Sequence, residues 1–148
     1  MLEQLLTFRL GGELYGLEIA HIQEVVEAPP LYTIPRAPAA MPGALNFHGS
    51  ILPVLDLAAF LDFAPGKRDA RVLVLSPAVA HLALAVTALR GVVPFAPESL
   101  LPTREEQTRE SCIRAVLTQG AEMINLLDLK TLLRSEERRV GKECRSRW

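Results

Sequence analysis

PRAPAAMPGALNFHGSILPVLDL, residues 35–57, sets two short apolar runs on either side of a His48–Gly49 pair and scatters four prolines among them. Prolines at 35, 38, 42 and 53 lack the N–H and the free φ that a helix requires, so no long helix passes through the middle of the chain. Residues 43–47 and 50–56 therefore read as two strands meeting at His48 and Gly49, and Pro53 predicts an edge position or a bulge in the second. Period-two burial assigns Leu52, Val54 and Leu55 to the core. No nucleophile, base or ligand set accompanies these runs, which argues for a shaped surface rather than a reaction centre.

The same pattern continues outward. Leu6, Phe8 and Leu10 alternate with Thr7 and Arg9, as in a half-buried strand, and Gly11 and Gly12 offer the positive dihedrals of a tight turn into a second strand over 13–18. Ile19, Ile22, Val25 and Val26 recur at helical spacing, which predicts a short amphipathic helix ended by Pro29 and Pro30. Residues 31–34 suit a brief strand. On the other side, LAAFLDF predicts one or two helical turns capped by Asp56 and ending before Pro65 and Gly66, with a polar loop over 66–70. RVLVLS and HLALAVT read as buried strands joined over Pro77, and 89–93 as another strand. Residues 94–110, with prolines at 94, 97 and 102, read as the most mobile interior loop. CIRAVLT and EMINLLDL predict a hairpin about Gln119 and Gly120, closed by a helical turn in LKTLL. Short strands punctuated by Gly and Pro, with only brief helices, define an all-β chain of small barrels.

A length of 148 residues fits one domain that buries about two-thirds of the surface exposed by its unfolded form. Residues 135–148 hold five Lys or Arg against three Glu, which leaves eleven basic and fourteen acidic residues before them. The body is thus mildly acidic and its cations are scattered, unlike the clustered basic footprint of a nucleic-acid binder. The tail SEERRVGKECRSRW lacks apolar rhythm and resembles read-through of vector sequence, so the domain is expected to span 1–134, with 135–148 a non-native or disordered tail. Residues 72–89 form an apolar run of about transmembrane length, but Pro77 and His81 interrupt it and no basic clusters flank it, so direct membrane insertion is not expected. The start MLEQLL lacks the positive charge of a signal peptide, and Cys112 and Cys144 form no CxxC pair. A reducing, cytoplasmic setting fits both.

Pro35, Pro38, Gly43, Asn46, Gly49, Pro53, Asp56 and Leu57 stand where CheW-like coupling proteins of bacterial chemotaxis carry these residues. The likeness runs from about residue 6 to 133, through FRLGGELYGLEI and INLLDLKTLL, and the chain therefore resembles that family. The resemblance implies two intertwined SH3-like five-stranded β-barrels around one shared core. It implies a non-enzymatic adaptor without cofactor, whose partners are the cytoplasmic helical hairpin of a methyl-accepting chemoreceptor and the regulatory domain of a CheA-like histidine kinase. Carried over by position, Ile19, Ile22, Gln23, Glu24, Val25, Phe47 and His48 match the receptor-facing groove, and Gly43 matches a kinase-facing position where a small residue admits another barrel.

Three departures from the family pattern stand out. His48 replaces the usual Arg beside the turn glycine, so a contact with Glu24 is expected to be weaker and pH-dependent, the alternative being that His48 merely occupies an exposed turn. Thr87 stands where Asp is common, and Ala115 replaces a glycine of the penultimate strand, which puts a bulge there in doubt. Together they suggest a divergent paralogue, such as the scaffold of a twitching-motility or other non-flagellar pathway.

The catalytic and metal readings are weaker. His21, His48 and His81 lack HxxxH or HxH spacing, and Asp56, Asp62 and Asp69 miss the donor alternation of a calcium loop, so no metal is expected. Gly11, Gly12 and Gly16 do not open a helix after a strand, as a phosphate loop requires. Ser50 lacks the flanking glycines of a nucleophile elbow, and Cys112 in CIRAVL suits a buried apolar strand. A small hydrolase with a site between the barrels would need His, Ser or Cys side chains converging in one pocket, and a ligand-binding regulatory domain would need a closed apolar cavity.

Overall fold

The computed structural model describes residues 2–64, 66–102 and 112–133. The chain starts with β1 (Glu3–Leu10) and β2 (Glu13–Glu18), paired antiparallel. Of the two turn glycines, Gly11 takes a positive φ of +61° and Gly12 does not. Thr87 Oγ1 accepts the Gly11 N–H at 3.0 Å, and the Thr87 N–H donates to the Arg9 carbonyl at 3.0 Å. A hydroxyl here supports the turn without the charge of the family's carboxylate.

The helix expected over 19–26 is instead a 3-10 turn, Ile19–His21, followed by β3 (Ile22–Glu27). The helical spacing has a different origin. β3 pairs with β6 (Arg71–Leu75) through a register shift between Ile22 and Glu24, so Ile22 opposes Leu75 and Val25 opposes Leu73. That bulge breaks period-two alternation and mimics a helical repeat, while β-branched Ile and Val favour the extended backbone. Residues 31–34 contribute only a bridge, Tyr32 to Ala44.

β4 (Gly43–Phe47) and β5 (Ser50–Asp56) form the expected hairpin, and α1 (Leu57–Phe60) follows with Asp56 Oδ1 accepting the Ala59 N–H at 3.2 Å. Pro53 lies neither at an edge nor in a bulge. β5 sits between β4 and β7 (Ala83–Ala85) with unbroken register to β4. Ala44 spends both backbone groups on Tyr32, at 2.7 and 2.8 Å, so the Ala44–Pro53 pair is a non-hydrogen-bonded one, and the β7 ladder begins only at Val54. The missing N–H therefore falls where no bond is required.

β8 (Ala88–Phe95), β9 (Leu101–Pro102), β10 (Ile113–Gln119), β11 (Glu122–Leu127) and helical residues 129–133 complete the described chain. The predicted loop from 94 is thus ordered as far as Pro102, with Pro94 inside β8 and a 3-10 turn at Pro97–Ser99. Its remainder, and the expected tail, lie outside the described residues. Ala115 does not abolish the bulge, since the β10–β11 register still shifts between Ile113 and Ala115.

Strands in the order β8-β1-β2-β11-β10-β9 make one curled sheet, five strands plus the two-residue β9, and β3-β6-β7-β5-β4 make the other. The chain opens in the first, builds all of the second and returns to finish the first, which is how the two barrels intertwine. Alternation sorts the side chains into three layers. Leu5, Leu14, Phe95, Ala115, Leu117, Ile124 and Leu126 fill the first barrel, and Leu45, Leu52, Val54, Val72, Val74, Ala83 and Ala85 fill the second. The opposite faces of the same strands, including Leu6, Phe8, Leu10, Leu55, Leu73, Leu75 and Leu84, meet between the barrels as a shared core. Val and Ala supply five of these seven residues inside the second barrel, while Leu and Phe predominate in the shared core. This also explains the apolar run 72–89, in which residues 72–75 and 82–86 are buried on both faces without lipid. Among the described residues no helix is long and apolar enough to cross a membrane.

Candidate functional site

The register of β3 distributes the expected groove residues. Partners in an antiparallel ladder share a face, so Ile22 and Val25, opposite Leu75 and Leu73, point with the shared core, while Glu24 and Val26, opposite Val74 and Val72, point with the second barrel's interior. Ile19 and Ile22 pack partly buried against the shared core, whereas Val25 remains exposed. Val92 of β8 stands opposite Leu6 and so also points with that layer, yet it is exposed. Val25 and Val92 are open continuations of the inter-barrel layer, one from each barrel. Sequence reasoning missed Val92, because only the register against β1 gives its face.

The other part of the site is the tip of the β4–β5 hairpin. His48 at φ +50° and Gly49 at φ +87° make the two-residue turn, and Asn46 Oδ1 accepts the Gly49 N–H at 3.0 Å. The Phe47 and His48 rings meet edge-on, with centroids 4.3 Å apart. β3 and β4 are the two edges of their sheet, and they approach each other here: Val26 and Phe47 both pack against the second barrel's interior, and Glu24 Oε1 lies 3.8 Å from His48 Nε2. The structure thus brings Glu24 and His48 together across the barrel seam, with side chains 49% and 74% exposed.

Gln23, Phe47, His48, Ser50, Pro77 and His81 are among the residues lining a cavity of about 210 Å³ beside this seam. Two of the three histidines therefore converge, along with Ser50. No hydrogen bond joins the Ser50 hydroxyl to either imidazole among the described residues, so the nucleophile lacks the base contact that would activate it. His21 is apart from them, in a half-open cleft of about 460 Å³ between the barrels that also holds Glu18, Arg114, Asp128 and Lys130. Cys112 is buried as expected, although it lies just before β10 with φ +56° and not within the strand. No group of three or more His, Cys, Asp or Glu is placed to hold a metal among the described residues.

Gly43 is buried, and a Cβ added there would come within 2.8 Å of the Tyr32 carbonyl oxygen and 3.1 Å of Leu31 Cβ. Its smallness admits a segment of its own chain. Tyr32, Pro53 and Ile51 share the outer face of that hairpin, with Tyr32 and Ile51 exposed, so the apolar surface next to Gly43 is made by neighbours that sequence reasoning did not single out. Among the described residues, five basic side chains are engaged with carboxylates: Arg90 and Arg9 on Glu122, Arg114 on Glu18, Arg71 on Asp69 and Arg68 near Asp56.

A profile of the CheW-like domain family matches residues 4–137. The chain is 29% identical over 138 residues to a probable chemotaxis protein CheW of Rhizobium etli, covering 90% of this chain and 89% of that protein. It is also 29% identical over 144 residues to protein FrzA of Myxococcus xanthus, covering 93% and 89% of the two chains. The crystal structure of the scaffolding protein TtCheW from Thermoanaerobacter tengcongensis superposes with a TM-score of 0.75 at 26% identity, covering 85% of this chain and 88% of that one.

Proposed function

The chain belongs to the CheW-like domain family, and from that premise we propose that residues 1–134 form an adaptor domain of a chemosensory array, working in the cytoplasm by binding geometry alone. One face holds the cytoplasmic helical hairpin of a chemoreceptor, and another docks the regulatory domain of a CheA-like histidine kinase. The observation that carries the receptor-facing assignment is the approach of Glu24 on β3 to His48 at the β4–β5 tip, with Val25 exposed next to Glu24 in the chain. An amphipathic helix has one apolar stripe with polar flanks, and an edge strand that exposes Val25 on one face and Glu24 on the other can meet both. Ile19, Ile22, Gln23, Glu24, Val25, Phe47 and His48 are its proposed residues. No cofactor or metal enters this reading.

Glu24→Lys tests it most directly. Reversing a charge that faces the docked helix is expected to weaken receptor-hairpin binding by about 1–3 kcal/mol, since like charge or an unpaired partner is left in the contact. Co-purification with a soluble receptor hairpin reads this out, and undiminished capture would remove Glu24 from the site.

The kinase-facing role of Gly43 acts through the segment it accommodates. Gly43→Ala is expected to displace residues 31–32 and loosen the Tyr32–Ala44 bridge, at about 1–3 kcal/mol of stability. Capture of the kinase regulatory domain falls with it, because Tyr32 and Ile51 leave their common face. A variant that keeps wild-type stability and capture would show that the close approach is unimportant.

The similarity to FrzA supports a second reading, in which the same scaffold serves a non-flagellar pathway. Substituting this gene into strains that lack the coupling protein of either pathway, and scoring which motility returns, separates the two.

A further inference from the structure

Where the chain crosses from β2 to β3, Glu18 and His21 line the half-open cleft of about 460 Å³ between the barrels. Val79, from the β6–β7 connection, and Leu127, Leu129 and Leu133 give it an apolar lining. Five ionisable side chains share it: Glu18, His21, Arg114, Asp128 and Lys130. Both carboxylates are already satisfied. Arg114 Nη2 donates to Glu18 Oε1, and Arg114 sits at the register slip between Ile113 and Ala115, where a bulge re-aims the side chain of its extra residue. Asp128 accepts the Thr131 N–H at 3.3 Å and the Thr131 hydroxyl at 3.0 Å, which caps the helical residues 129–133. The remaining donors are not satisfied. Lys130 makes no ion pair or hydrogen bond, and His21 Nδ1 is buried with no hydrogen-bond partner among the described residues. Buried polar nitrogens in folded proteins are nearly always paired, so this one marks a place for an acceptor.

We propose that this cleft binds a small organic acid, with its carboxylate on Lys130 and His21 and its short apolar body against Val79, Leu129 and Leu133. The volume lies within the range of small-molecule pockets, and an apolar lining with a few convergent polar groups is their usual composition. The free hydrogen-bonding capacity decides the class of ligand. An ammonium offers three donors and a neutral imidazole one N–H on either nitrogen, and a carboxylate accepts from both. A cation would meet two carboxylates that already have partners, and a plain hydrocarbon would leave the donors unpaired. Gly43 and the residues proposed for the receptor are absent from the lining, so the site stands apart from both docking surfaces. A ligand seated there touches both barrels and gives a non-catalytic adaptor a small-molecule input.

Sodium hexanoate, titrated into the full chain, tests this through the NMR shifts of the His21 ring and of the Leu129 and Leu133 methyls. Saturable shifts with a dissociation constant of about 0.1–5 mM are expected, the strength open to so small a ligand. A larger crevice of about 640 Å³, lined by Gly11, Lys67, Arg68 and Thr87 among others, serves as the internal control. Its resonances should stay still, and equal shifts in both places would reduce the effect to unspecific attraction of anions. Hexylamine, with the same chain and the opposite charge, is expected not to bind, and equal affinity for it overturns carboxylate recognition. Lys130→Gln, at an exposed position, and His21→Gln are each expected to weaken hexanoate about two- to fivefold, the range of a charge partner open to water. Unchanged affinity in Lys130→Gln overturns the proposal even where His21→Gln is unstable. N-acetylleucine, a peptide C-terminus in miniature, separates the sources of the carboxylate. Weaker binding than hexanoate supports a free acid, and tighter binding overturns it in favour of a protein's terminal carboxylate. No saturable shift with either acid up to about 20 mM removes the site altogether.

Discussion

Truncating Phe8 to alanine is expected to remove about 3–5 kcal/mol of folding stability, the usual range for an aromatic side chain lost from a close-packed core. Phe8 is fully buried on β1 and packs in the shared layer to which the second barrel contributes Leu55, Leu73, Leu75 and Leu84. A cavity there cannot be closed by either barrel alone, because each wall is the back of a sheet whose front fills its own barrel. With total stability for a domain of this size at about 5–15 kcal/mol, the loss is a large fraction of the whole. Urea unfolding of wild type and Phe8→Ala should move the midpoint while leaving one cooperative transition. Ile51→Ala, on the outer face, serves as the control and should stay within about 0.5 kcal/mol. Two resolved transitions in the wild type, or a Phe8→Ala cost comparable to the control, would mean that the barrels fold independently and that no common core joins them.

Much of this layering is legible in the sequence, because the residue types differ by layer. VLVL at 72–75 and LALA at 82–85 put Val or Ala on one face and Leu on the other, and the fold sends the small side chains into the second barrel and the leucines to the shared core, where Val86 joins them. The turns at Gly11, Gly49 and Gly120 were equally readable, since each takes a positive φ that glycine permits. What misled was a bulge. Ile22, Val25 and Val26 mimic helical spacing only because the register slips at Gln23, and a slip is decided by the partner strand, which no local window contains. Pro53 illustrates the same limit from the other side: its tolerance inside a sheet depends on Ala44 turning its hydrogen bonds to Tyr32. The site followed this division. Glu24 and His48 do meet, but the resemblance and not the spacing pointed to them, and Val92 emerged only from its place opposite Leu6.

Intertwining also raises the question of what fixes the chain where it returns from the second barrel to the first, and Asp69 answers it. Its Oδ1 accepts the Arg71 N–H at 2.9 Å and the Arg71 Nε at 3.0 Å, while Oδ2 accepts the Arg71 Nη2 at 3.0 Å and the Leu89 N–H at 2.7 Å. Arg71 starts β6 in one barrel and Leu89 belongs to β8 in the other, so a single carboxylate, only 12% exposed, ties the two. The Arg71 side chain foremost, and then the backbone N–H groups of Leu89 and Arg71, hold this carboxyl well below the usual carboxylate range against the opposing effect of burial. Asp69→Asn replaces an acceptor oxygen by a donor facing other donors, and is expected to cost about 2–3 kcal/mol at pH 7. The pH dependence then has a definite sign. A carboxyl whose folded pKa lies below its unfolded value of about 3.9 contributes its full stabilisation above that value, and loses it as pH falls through the folded pKa. Urea midpoints of wild type and Asp69→Asn should therefore differ most at pH 5–7 and converge progressively below about pH 4. Parallel stability curves down to pH 2 would show that the carboxylate charge contributes nothing to joining the barrels, and that the tie at the crossing is made by backbone pairing alone.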